Sequence, residues 1–130
     1  MTESPIAVIT GASSGIGYEL AAIAAGEGYD LVIVADEVAI EEAAARLAGQ
    51  GGRVDAVDAD LATPQGVDRL MAAIGDRPVA ILCANAGTGT GGAFLDQQPG
   101  QWRHAIDTNI GGTVDLLQRA AVQLGAIGEI

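Results

Sequence analysis

Four short runs rich in Val, Ile and Ala, at Ile6 to Ile9, Leu31 to Ala35, Arg53 to Val57 and Val79 to Ala84, alternate with longer segments of helical period. None shows the clean in-out alternation of a strand with one wet face, so all four read as strands buried on both faces of a parallel sheet. Between them Ile16, Leu20 and Ile23 share one helical face, as do Ile40, Ala44 and Leu47, and again Val67, Leu70, Met71 and Ile74. Each segment is a crossover helix. The third carries its own punctuation: Thr63 as N-cap, Pro64 at the first helical position and Gly75 as the stop. A longer helix is predicted from about Gln101 to Leu124, with Ile106, Ile110, Leu117, Ala121 and Leu124 near one stripe and a kink expected at Gly111 and Gly112. Gly125 ends it, and Ile127 to Ile130 reads as the start of a further strand. Right-handed crossovers and a reversal of strand order place the first and fourth strands side by side, giving a doubly wound α/β sheet of order 3-2-1-4.

Composition narrows the partners. The 130 residues, 49% hydrophobic, suffice for one core, so residues 1–130 are taken as one domain. Seventeen acidic residues face six basic ones, all arginine, and the net charge of −11 argues against a nucleic-acid partner. The longest apolar stretches have the length of buried strands, no signal-peptide pattern occurs, and a soluble, cytoplasmic chain without membrane contact is expected. Cys83 lies within an apolar run, where a thiol acts as a small hydrophobe; no disulfide, zinc or other metal site is expected.

The segment Thr10-Gly11-Ala12-Ser13-Ser14-Gly15-Ile16-Gly17 joins the first strand to the first helix. A helix N-terminus offers backbone N–H groups without intrahelical partners and a partial positive charge, and glycines let that backbone approach a pyrophosphate. Dinucleotide binding is the leading expectation. Gly87 to Gly92 also matches Gly-x-Gly-x-x-Gly, but no helical pattern starts directly after it, so it reads as a flexible loop. Asp36 ends the second strand, where a carboxylate accepts hydrogen bonds from both hydroxyls of an adenosine ribose. A 2′-phosphate there would face Asp36 and Glu37, and one like-charge pair at about 4 Å costs roughly 4 kcal/mol at an effective dielectric near 20. NAD is therefore expected over NADP. Asp36 also suits the N-cap of the second helix, and the two roles are compatible.

The glycine turn, Asp60-Leu61, Ala84-Asn85-Ala86-Gly87 and Asn109 together resemble the short-chain dehydrogenase/reductase family in order and spacing. The resemblance implies a Rossmann-like, NAD(P)-binding domain of which this chain carries the first half. It implies that Gly11, Gly15 and Gly17 shape the pyrophosphate turn, with Ser13, Ser14 and Ile16 meeting phosphates and ribose. Asp60 and Leu61 match the pair beside the adenine ring; the lesser reading of Asp60 by itself is a turn cap. Asn85, Ala86 and Gly87 follow the fourth strand, with Ala84 replacing the family's first asparagine, and Asn85 either contacts cofactor or ties that strand to its neighbours. Ser14 stands where NADP-binding members commonly carry Arg or Lys.

The family's reaction is hydride transfer between a nicotinamide and an alcohol or carbonyl substrate. Of its serine, tyrosine, lysine and asparagine, Asn109 alone has a match, and without lysine neither Tyr18 nor Tyr29 heads a Tyr-x-x-x-Lys motif. The chain by itself is thus expected to be inactive, with the chemistry beyond Ile130; a non-catalytic dinucleotide sensor is the alternative. His104 reads as an exposed helix residue and Trp102 as a packing anchor. Family members associate through the long helix, so a homo-oligomer is expected, and the open edge of the fourth strand calls for cover, pairing or aggregation.

Overall fold

The computed structural model describes residues 5–50, 52–124 and 130. Strands β1 (Ile6–Thr10), β2 (Asp30–Ala35), β3 (Val54–Asp58) and β4 (Val79–Cys83) alternate with helices α1 (Gly15–Gly26), α2 (Ala39–Ala48) and α3 (Pro64–Ile74). After β4, a loop and one 3₁₀ turn at Phe94–Asp96 lead to α4 (Pro99–Ile106), a π-helical stretch (Asp107–Gly112) and α5 (Thr113–Leu124). The strands form one parallel sheet in the order β3-β2-β1-β4, as the run pattern predicts. The expected strand start at Ile127 and the helix stop at Gly125 lie outside the described residues.

Strand alternation divides the core in two. Ile6, Val8, Val32 and Val34 pack against Val67, Leu70 and Ile74 of α3 and Leu116, Ala120 and Leu124 of α5. Ala7, Ile9, Leu31 and Ile33 point the other way, against Ala21, Ala24 and Ala25 of α1 and Ile40, Ala43 and Leu47 of α2. Successive side chains on β1 and β2 thus both find apolar cover, which is why these strands are unbroken hydrophobic runs. On α3, Thr63 accepts from the Gly66 N–H at 3.0 Å, Pro64 opens the helix and Gly75 closes it at φ 62°, so its boundaries are those predicted. Burial pushes the Cys83 thiol up from its ordinary value, in keeping with a packed hydrophobe.

Two helical faces differ from expectation. Ile16 and Ile23 are 72% and 60% exposed, while α1 buries Gly17, Ala21, Ala24 and Ala25 instead. The cause is distance: a Cβ on Gly17 would lie 2.2 Å from the Gly11 carbonyl oxygen, so only small residues fit where α1 meets the glycine turn. In the long helix, the buried row is Gly112, Leu116, Ala120 and Leu124, whereas Ile106 and Ile110 are 48% and 60% exposed and Ala121 faces outward. The π-helical stretch widens one turn and rotates everything after it, so a stripe extrapolated across it loses phase. Gly111 and Gly112, the expected kink, end that stretch.

Candidate functional site

Each strand is followed by a segment at the carboxyl end of the sheet, and four of these segments converge beside β1. Thr10 ties the first two together. Its hydroxyl accepts from the Asn85 and Ala86 N–H groups at 2.9 and 2.8 Å, and the Asn85 amide donates to the Thr10 carbonyl at 3.2 Å and the Gly11 carbonyl at 3.4 Å. Of the two roles open to Asn85, the one on view is joining the end of β4 to the glycine turn. Gly11 and Gly15 hold φ of 66° and 60°, the left-handed region where L side chains are strained. The space in front of Gly15 is open, whereas that in front of Gly11 is filled by Ala86 and Asn85. Gly15 therefore bends the chain toward free volume, and Gly17 lets the helix close on the turn. Ser14 precedes α1 in extended conformation, and its side chain makes no capping bond to the first-turn N–H groups. The first turn of α1 also contains no acidic residue. This is the arrangement that receives an anion.

A cavity of about 350 Å³ opens from this turn. It brings together Gly11, Ser13, Ser14, Asp36, Asp60, Leu61, Ala86 and Gly87 from the predicted set. Gly15, Ile16 and Gly17 stand on the helix beside it, and Asn85 lies behind the turn. Asn109 is one step removed: its Oδ1 accepts from the Thr88 N–H at 2.7 Å and its Nδ2 donates to the Thr88 carbonyl at 2.8 Å, fixing the loop that follows Gly87. It sits in the π-helical stretch, a distortion often found at functional sites.

Asp60 and Leu61 are held by glycines on both sides. A Cβ on Gly66 would fall 1.8 Å from the Asp60 carbonyl oxygen, and one on Gly112 would fall 2.0 Å from that of Leu61. The Asp60 carboxylate does cap its turn, accepting from the Ala62 N–H at 2.9 Å. Its second oxygen faces His104 Nε2 at 3.6 Å. Val38, not Asp36, occupies the N-cap of α2, leaving the Asp36 carboxylate turned to the cavity. Asp36 titrates above the ordinary aspartate value because of partial loss of water, with Asp60, Asp58 and Glu37 adding repulsion and His104 opposing it.

Polar lining residues beyond the expected set include His104 and Thr108, while Glu37, expected to face a 2′-phosphate, reaches further than that. Glu37 accepts a hydrogen bond from the Ser13 hydroxyl, so an acidic group reaches the glycine turn itself. His104 and Thr108, four residues apart on the long helix, present one face to the cavity, and the Thr108 Oγ1 is buried without a hydrogen-bond partner. No local signal marked them, because Thr108 adjoins Asn109 and His104 lies five residues before it, neither at the three- or four-residue spacing that shares a helix face. His104 is thus a wall of the site and not merely an exposed helix residue. The loop at Gly87 to Gly92 is followed by the 3₁₀ turn at Phe94–Asp96 and not directly by an α-helix, consistent with discounting its glycine pattern.

An orphaned hydroxyl at one end, open left-handed backbone at the other and a carboxylate between them fit a dinucleotide's base, phosphates and ribose. No described helix is long and apolar enough to cross a membrane. Known proteins resemble this chain in sequence and fold. An uncharacterized oxidoreductase of Escherichia coli K12, YohF, is 32% identical over 130 residues, covering 95% of this chain and 51% of the relative. The crystal structure of L-sorbose reductase from Gluconobacter frateurii, complexed with NADPH and L-sorbose, matches with a TM-score of 0.79 and 36% identity over 90% of this chain and 46% of that one. The bulky-bulky ketone specific alcohol dehydrogenase from Comamonas testosteroni matches with a TM-score of 0.84 and 32% identity over 95% and 51%. The chain spans about half the length of these proteins. Residues 5–129 match the short chain dehydrogenase family along nearly their whole length, and the chain belongs to that family.

Proposed function

We propose that this chain is the cofactor-binding half of an oxidoreductase that transfers hydride between a nicotinamide dinucleotide and an alcohol or carbonyl substrate. The observation that carries the reading is the continuity of one cavity from the left-handed glycine turn to the Asp36 carboxylate and the Asp60-Leu61 segment. Gly11, Ser13, Ser14 and the first turn of α1 hold the pyrophosphate; Asp36 takes the adenosine ribose; Asp60, Leu61 and Thr108 surround the base; Ala86 and Gly87 lead toward the nicotinamide. The bound cofactor supplies the hydride or accepts it. Asn109 positions the backbone at Thr88, beside which the substrate end opens. No Tyr-x-x-x-Lys motif occurs in these 130 residues, and Ser4, Ser13 and Ser14 all precede the position that a catalytic serine would need, so the chain alone binds without turning over.

NAD is the proposed cofactor. L-sorbose reductase holds NADPH, but here Asp36 and Glu37 would confront a 2′-phosphate, and no arginine lines the cavity to offset them. Association through the long helix belongs to the same proposal: Ile106, Ile110 and Val114 form an exposed apolar row at spacings of four. Titration calorimetry with NAD and NADP tests the reading. NAD should bind about tenfold tighter or more, a gap of about 1.4 kcal/mol, and Asp36→Ala should narrow it. Equal affinities remove the preference, and no binding by either removes the dinucleotide.

A further inference from the structure

His104 is the only histidine, and among the described residues it is the only Lys, Arg or His lining the cavity. It stands across from two carboxylates that belong to different strand ends. His104, Asp36 and Asp60 each offer a polar atom within 4.8 Å of the others. The distance to Asp60, 3.6 Å, is set by backbone packing, because Gly112 on the same long helix presses on the Leu61 carbonyl and the Ala62 N–H holds the other Asp60 oxygen. The imidazole therefore meets Asp60 and Asp36, the carboxylate proposed to take the ribose, on one wall of the cavity.

We infer that His104 is a specificity-determining residue that makes the choice between NAD and NADP depend on pH. This deepens the dinucleotide reading and rests on it. With His104 neutral, Asp36, Glu37 and Asp60 repel the extra phosphate unopposed. With His104 protonated, a cation beside Asp36 and Asp60 offsets part of that repulsion, and the penalty on NADP shrinks while NAD, which brings no charge there, is less affected. Histidine is the side chain whose ordinary change of charge lies nearest neutral pH. The charged groups around it are Asp36 and Glu37 after β2, Asp58 at the end of β3, Asp60 beyond it, and Arg103 and Asp107 on its own helix; the Arg103 guanidinium lies over the Trp102 ring at 5.0 Å.

The test is calorimetric titration of the chain with NAD and with NADP at ~pH 5.5 and ~pH 8.5, for the wild type, His104→Gln and His104→Arg. A 2′-phosphate itself takes up a proton near pH 6, which favours NADP on acidification in every variant. The readout is therefore the excess response of the wild type over His104→Gln, expected to be about fivefold in the ratio of dissociation constants. His104→Arg should show the narrower ratio at both pH values. An identical pH response in wild type and His104→Gln, with His104→Arg unchanged from wild type at high pH, overturns the inference and leaves dinucleotide binding intact. Failure of both dinucleotides to bind the wild type at either pH overturns the dinucleotide reading and this inference with it.

Discussion

The two ends of the cavity are made of different material. At the phosphate end the chain works with backbone: Gly11 and Gly15 in left-handed conformation, Gly17 pressed on the Gly11 carbonyl, and a helix whose first turn makes no side-chain cap to its N–H groups. At the base end it works with side chains brought from three segments: Asp36, Asp60, and His104 with Thr108 on the long helix. The backbone end is rigid because Gly17 has no room for a side chain and Gly11 and Gly15 hold a left-handed φ; the side-chain end is tunable because its charges respond to solvent and to one another. A site built this way fixes where the phosphates lie and leaves cofactor choice to a few exchangeable groups.

The sharpest way to break that contrast is to put one methyl group at the phosphate end. Gly17→Ala should cost about 3 kcal/mol of stability or more, since its Cβ would lie 2.2 Å from a backbone oxygen that cannot yield. Denaturant unfolding reads this directly, and a loss within a few tenths of a kcal/mol would mean that the turn is softer than its packing indicates. At the base end, Thr108→Val replaces an unpaired buried hydroxyl by a methyl of the same shape. The free chain should gain up to ~1 kcal/mol while NAD affinity falls roughly threefold, because the hydroxyl is wasted until the base arrives. Unchanged affinity would show that the base does not reach it.

The smallest effect is expected from Asp36→Asn. Asp36 titrates above its ordinary value, so the folded chain holds that proton more readily than the unfolded one. Its ionisation costs stability once pH exceeds the raised value, and the cost is absent below the unfolded value of about 3.9. The melting temperature of Asp36→Asn should therefore exceed that of the wild type modestly at ~pH 7 and coincide with it at ~pH 3. A wild type that melts higher at both would place Asp36 in a stabilising contact instead.

What was legible in the sequence follows the same division. Elements whose signals are local were plain: the β1 and β2 runs are buried on both faces, and α3 begins and ends at Thr63, Pro64 and Gly75. Asp36 and Asp60 could be placed because they follow strands at the end of the sheet where ligands bind. The buried face of α1 was misread because periodicity weights large side chains, while close approach to the turn selects Gly17, Ala21 and Ala24. The stripe of the long helix was misread because one wide turn breaks the period. His104 and Thr108 were invisible as site residues because their roles arise only when the long helix meets the segments after β2 and β3.

Gly66 and Gly112 never touch the cavity, yet each lies against a carbonyl of the Asp60-Leu61 pair. This chain thus has little freedom at two positions outside the cavity. A cofactor exchange engineered at Asp36 or His104 can draw on many residues, but the scaffold that presents Asp60 to them admits glycine alone at two flanking points. Engineering of this fold should treat those points as frame and the charged wall as the part to be rewritten.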